Sequence, residues 1–155
     1  MPYIILVLLQ TVVLPIVSGA VQLAVTGANP LLVFGLWWGF WGVGTRLAVA
    51  GISQLSNPAR TTEGILGIED KGANQVVQEL GFANLSMGVV ALAVPFLPAW
   101  GIVAAIPGAI YLGLAGVRHV GKRGKSVEEQ IATWTDLVVL LGVAAGVVGA
   151  ILTGA

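Results

Sequence analysis

The chain contains no cysteine and a single histidine, and Asp, Glu, Lys and Arg together make up only 9% of its 155 residues. The missing cysteine excludes disulfides, thiolate metal sites and cysteine nucleophiles, and leaves the redox compartment unread. One histidine cannot supply bis-histidine haem ligation within one chain. No phosphate loop, Gly-x-Ser-x-Gly elbow, His-Glu-x-x-His pair or dinucleotide fingerprint is present. Lys71, Lys122 and Lys125, the only lysines, fall outside the apolar runs, so a retinal Schiff base within a span is not expected. No Lys or Arg precedes the first apolar run, which continues from Tyr3 to about Val25 and exceeds a signal-peptide core, so a retained span is expected there.

What is present is apolar. Hydrophobic residues make up 57% of the chain and the mean hydropathy is +0.95, whereas soluble domains carry roughly 25% charged residues. A soluble fold could not cover such a surface. At about 20 residues per span, the length admits four or five transmembrane helices in one domain, residues 1–155. The patterning predicts an all-α polytopic bundle of five, with four as the alternative. The helices are expected at about 3–26, 30–54, 74–96, 99–119 and 131–153. Thr26-Gly27-Ala28-Asn29-Pro30 and Pro95-Phe96-Leu97-Pro98 supply uncharged turns.

Charge sets the orientation. Arg46, Arg60, Lys71, Arg118, Lys122, Arg123 and Lys125 are all the basic residues, and they fall in two zones, 46–71 and 118–125. Five spans put the loops 55–73 and 120–130 on one side, and the positive-inside rule makes that side and the N-terminus cytoplasmic. A prokaryotic inner membrane is the expected location. The run from Arg118 to Lys125 suits topology and anionic lipid rather than nucleic acid. Residues 59–69 read equally as a short interfacial helix, with Ile65, Leu66 and Ile68 dipping into the headgroups, or as an irregular loop.

Small residues recur at i, i+4 spacing: Gly35 and Gly39; Ala105, Ala109 and Gly113; Gly142, Gly146 and Ala150. Such rows let helices approach closely, within the chain or in a second subunit. Trp37, Trp38 and Trp41 cluster on the second span, as a flat aromatic wall for a ring-bearing ligand or as a lipid or helix contact. Trp100 and Trp134 read as interfacial anchors.

Four ionisable residues fall in or at the edge of spans: Arg46, Glu79, His119 and Asp136. Left alone in hydrocarbon, an Arg or Asp costs about 2.5–3.5 kcal/mol on insertion scales, so the four are expected to face inward in one layer of the cytoplasmic half. Gln75 and Thr133 lie one turn from Glu79 and Asp136, while Asn84 is rotated away from Glu79 and suits a bond to a different helix. Pairing of Arg46 with Glu79 or Asp136 reads either as a structural lock or as a proton-carrying or anion-binding site. Glu79, His119 and Asp136 would also suit a divalent metal.

The stretch Gln78-Glu79-Leu80-Gly81-Phe82-Ala83-Asn84-Leu85 resembles the Glu-x-Gly-Phe-Ala-Asn-Leu motif that opens the third span in an uncharacterised family of short bacterial and archaeal membrane proteins. A Gly-rich fourth span ending in His119, and the pair Thr135-Asp136 opening the last, are similar to that family in the same order. The family is more distantly similar to DoxX-like membrane proteins, some of which accompany quinone-linked oxidation. Gly67-Ile68-Glu69-Asp70 stands where a Gly-Trp turn is associated with the family. The resemblance implies fold more than function.

Three readings of function follow. The first is a non-enzymatic bundle that binds a lipid-like or quinone-like molecule, or an accessory subunit in a homo-oligomer or larger membrane complex. The second is a small proton-coupled carrier or channel titrating Glu79 or Asp136, and the third is a metal-dependent membrane enzyme.

Overall fold

A computed structural model describes residues 2–64, 67–97 and 100–155, and among these it is 82% helix without strands. Helix α1 runs over residues 2–26 and α2 over 30–56. A one-turn helix, α3, spans Ala59–Thr62, and α4 spans Gly72–Leu92. Helix α5 begins with a 3-10 turn at Gly101–Ala105 and continues through Ile106–Val120, and α6 is Val127–Thr153.

Local chemistry sets several ends. Gly27 takes a left-handed φ of 61° to close α1. Asn29 accepts a hydrogen bond from the Leu32 N–H at 3.2 Å, and Pro30 opens α2 where no N–H is needed. Ser126 and Glu129 form a reciprocal capping box that starts α6 at Val127, four residues before the expected boundary. Helix α4 likewise starts two residues early and stops at Leu92, in a turn that leads to Pro95. Among the described residues of the expected interfacial helix at 59–69, only Ala59–Thr62 is helical. Ile65 and Leu66 lie outside the described residues, as do Pro98 of the second uncharged turn and residue 99, the expected start of the fourth helix.

Side-chain pairings establish an alternating up-and-down bundle. Trp37 meets Gln22 and Trp41 meets Ser18, so α1 and α2 are antiparallel. Gly44, Ala48 and Gly51 face Leu92, Gly88 and Leu85, which sets α4 antiparallel to α2. Gly35 meets Gly146 and Arg46 meets Asp136, so α6 is antiparallel to α2. Gly39 and Val43 face Ala105 and Gly108, which makes α5 parallel to α2. Helix α2 is thus the central post, and Val43, Leu47, Ala91, Ala105, Ala109 and Val139 fill the core around it. Every Lys, Arg, Asp and Glu lies toward the end of the bundle that carries the 57–71 and 121–126 connections.

Among the described residues, four helices are long and apolar enough to cross a membrane: Tyr3–Thr26, Pro30–Ser56, Gly101–Val120 and Glu129–Thr153. The count by length and composition is therefore the alternative of four. Helix α4 has 21 residues, but Asn74, Gln75, Gln78, Glu79, Asn84 and Ser86 dilute its hydropathy.

Two segments depart from α-helical winding. Residues Leu9–Val13 and Trp38–Thr45 are π-helical, with i→i+5 bonding. Pro15 explains part of this: it has no N–H for the Thr11 carbonyl four residues earlier, and the Trp38 indole N–H donates to that carbonyl at 2.9 Å instead.

Candidate functional site

Arg46 follows directly on the π-helical segment of α2, and Asp136 lies on the inward face of α6. Arg46 Nη2 stands 2.5 Å from Asp136 Oδ1, with side-chain exposures of 11% and 7%. The contact is an ion pair by distance, but no aligned hydrogen-bond donor reaches Oδ1. The aligned donor of Arg46 is Nη1, which gives its hydrogen to Thr135 Oγ1 at 3.0 Å. Thr135 in turn donates to the Ile131 carbonyl at 2.8 Å.

A second polar contact lies nearer the charged end. Asn84 on α4 is buried and its Nδ2 donates to Gln54 Oε1 on α2 at 2.8 Å. Asn84 Oδ1 is buried without a protein donor. Tyr111, on α5, is half-buried against the apolar core. Three helices therefore contribute to the polar layer: Arg46 and Gln54 from α2, Asn84 from α4, and Thr135 and Asp136 from α6.

Of the four ionisable residues expected to share a site, only Arg46 and Asp136 meet. Glu79 is exposed, and Gln75 Nε2 on the preceding turn donates to it at 3.4 Å. The register explains this. Leu85 faces Gly51, so Glu79, six residues earlier on an antiparallel helix, stands level with Asn57, just past the end of α2. Counting each residue from the end of its own helix placed it too deep. His119 is half-buried at the end of α5, where its carbonyl accepts from Lys125 Nζ at 2.8 Å. Glu79, His119 and Asp136 consequently do not assemble a metal site, and among the described residues no three His, Asp or Glu side chains converge on one. Thr133 is buried, but its hydroxyl returns to the Glu129 carbonyl of its own helix at 2.7 Å and does not join the layer. Lys122 pairs with Glu129 across the loop between α5 and α6.

Asn84 does bond to a different helix, as its rotation from Glu79 requires. Gln54 is the partner the sequence does not single out. It lies at the predicted helix end and carries no charge signal.

The three tryptophans serve the α1–α2 contact. Trp37 Nε1 donates to Gln22 Oε1 at 2.6 Å, Trp38 Nε1 to the Thr11 carbonyl at 2.9 Å, and Trp41 Nε1 to Ser18 Oγ at 3.0 Å. Phe40 stacks edge-on against Trp37 and Trp41, with ring centroids 5.8 and 4.8 Å apart. Trp37 also walls a shallow groove of about 410 Å³ between α1 and α2, with Val17, Ser18, Val21, Gln22, Val25 and Thr26. A second groove of about 280 Å³ lies against Val90, Trp100, Val103 and Ala104. Neither groove reaches Arg46 or Asp136.

No protein-family model, curated protein or solved structure matches the chain.

Proposed function

We propose that this chain is a small integral membrane protein that crosses the bilayer five times, with its N-terminus and both charged connections in the cytoplasm. We read it as a non-enzymatic bundle that holds a lipid-like or quinone-like amphiphile in the groove between α1 and α2.

The membrane reading rests on surface chemistry. Large apolar side chains stand out from the bundle, with Val25 81%, Ile151 74% and Leu152 70% exposed, and lipid is the solvent in which such a surface is cheap. The basic residues gather at one end, as the positive-inside rule requires. Helix α4 runs beside α2 from Gly51 up to Gly44, its one charged residue stands at the rim, and Leu80 to Leu92 is largely apolar. That supports a fifth crossing.

The observation that carries the ligand reading is the apolar lining of the groove with a few polar side chains set along it. Val17, Val21 and Val25 line it, with Ser18, Gln22 and Thr26 between them. The Gln22 carbonyl is taken by Trp37, which leaves the amide N–H groups to meet a headgroup or quinone carbonyl while the indole flanks a ring or chain. The resemblance to DoxX-like proteins points the same way. The metal-enzyme reading has no such support, because its three ligands stand apart.

Native mass spectrometry of the detergent-purified protein tests this. A retained amphiphile is expected, and Gln22→Leu with Trp37→Ala should release it while the bundle stays folded. Retention by the double variant would move the ligand elsewhere, and copurification of a protein partner with no amphiphile would favour an accessory subunit.

A further inference from the structure

The two indoles along the groove between α1 and α2 set the hydrogen-bonding character of its polar side chains. Trp37 Nε1 donates to Gln22 Oε1 at 2.6 Å, and Trp41 Nε1 donates to Ser18 Oγ at 3.0 Å. An indole is a donor with no acceptor, so Trp37 can address only the amide oxygen of Gln22. That contact fixes which way round the amide lies and leaves its NH2 group as the free end. Among the described residues no protein acceptor takes either amide hydrogen. Trp41 likewise occupies a lone pair of Ser18 Oγ. Thr11, Thr26 and Thr45 on the same two helices return their hydroxyls to the carbonyl four residues back, whereas Ser18 makes no such bond and keeps its hydrogen for another partner. An oxygen that already accepts one bond is adequately satisfied, but a donor hydrogen without an acceptor is not. What the groove lacks is therefore an acceptor.

Its surroundings are uncharged. Gln22 and Ser18 lie four and eight residues before Thr26, the last residue of α1, which is roughly 6 and 12 Å of helix. Helix α1 carries no Lys, Arg, Asp or Glu, and none lines the groove. A charged headgroup drawn in beside Gln22 would lose water and meet no counter-charge, which costs far more than the same loss by a neutral group. An ammonium would in addition set donor against donor.

We propose, on the amphiphile reading of this groove, that it selects a ligand whose polar group is an uncharged carbonyl, of an ester or a quinone, and rejects ammonium and carboxylate headgroups. Gln22 and Ser18, one turn apart on α1, donate to the carbonyl oxygens. Val17, Val21 and Val25 hold the apolar chain.

Competition read by native mass spectrometry tests it, with delipidated, detergent-purified protein and three probes that share one chain: methyl oleate, oleate and oleylamine. Methyl oleate should be retained over each of the other two by about tenfold, the factor that one hydrogen bond confers. Gln22→Glu keeps the size of the side chain and replaces its NH2 group by an acceptor oxygen, so it should lose the ester and retain the amine. A benzoquinone with one isoprenoid tail, competed against methyl oleate, tells the two carbonyl sources apart, and retention of either over the amine supports the proposal. Equal retention of the three probes by the wild type overturns the proposal and leaves a general amphiphile groove, as does an unchanged order in Gln22→Glu. Retention of none of them, or retention that survives Gln22→Leu with Trp37→Ala, overturns the amphiphile reading of the groove and this proposal together.

Discussion

At Arg46 and Asp136, burial makes each charge depend on the other. Removing one partner of a buried pair leaves an uncompensated charge and costs about 3–5 kcal/mol, whereas replacing both by apolar side chains of similar volume is often neutral. Arg46→Met should therefore destabilise the bundle by about 3–5 kcal/mol, and Arg46→Met with Asp136→Leu should recover most of that loss. Denaturant titration in detergent reads both, and a double-variant loss equal to the sum of the Arg46→Met and Asp136→Leu losses would show that the two side chains are not coupled. The sequence made this pair legible because a charge inside an apolar run has few places to go. It did not make the partners legible. Depth along a helix says nothing about register between helices, so Glu79 and His119 read as neighbours of Asp136 although the structure sets them at the rim. Gln54 escaped notice because a neutral polar side chain near the end of a span carries no charge to betray it.

At the scale of the helix, the small-residue rows are resolved in favour of contacts within the chain. Gly35 and Gly146 meet so closely that a Cβ on Gly146 would lie 2.7 Å from Gly35 Cα, and backbone cannot step aside as a side chain can. Gly146→Val should cost at least the roughly 1–3 kcal/mol typical of overpacking, while Gly121→Ala, where a Cβ meets nothing within 4 Å, should shift stability by no more than about 0.5 kcal/mol. Thermal unfolding of the two variants side by side separates a packing requirement from a general cost of losing glycine. Helix positions and turns were readable from apolar runs and from Asn29-Pro30 and Gly27. The π-helical segments were not, because every periodic argument assumes 3.6 residues per turn. That assumption fails around Trp38, where winding changes and three neighbouring indoles all reach α1. An aromatic cluster read as a wall for a ligand is thereby mostly a seam between two helices, with Trp37 alone facing a groove.

For the whole molecule the decisive question is whether α4 crosses. Two arguments oppose each other: its composition falls short of the other four helices, while its register along α2 and the gathering of all basic residues at one end both favour a crossing. The second argument wins if Glu79 sits among headgroups, because the remaining helix then contributes only Asn84 and Ser86 as polar side chains. Asn84 is bonded to Gln54, and Ser86 returns its hydroxyl to the Phe82 carbonyl at 2.7 Å. Hydrogen-bonded polar groups cost far less in hydrocarbon than free ones, and of these two side chains Asn84 Oδ1 is the atom left without a protein donor. Because the natural chain has no cysteine, single-cysteine variants report sidedness without background. Asp70→Cys and Lys122→Cys should react with a membrane-impermeant maleimide only from the cytoplasmic face, and Ala28→Cys and Phe96→Cys only from the opposite face. Labelling of Asp70→Cys and Phe96→Cys from one and the same side would make α4 a non-crossing helix. It would then place the 57–71 and 121–126 connections on opposite faces and overturn the positive-inside orientation along with the five-span topology.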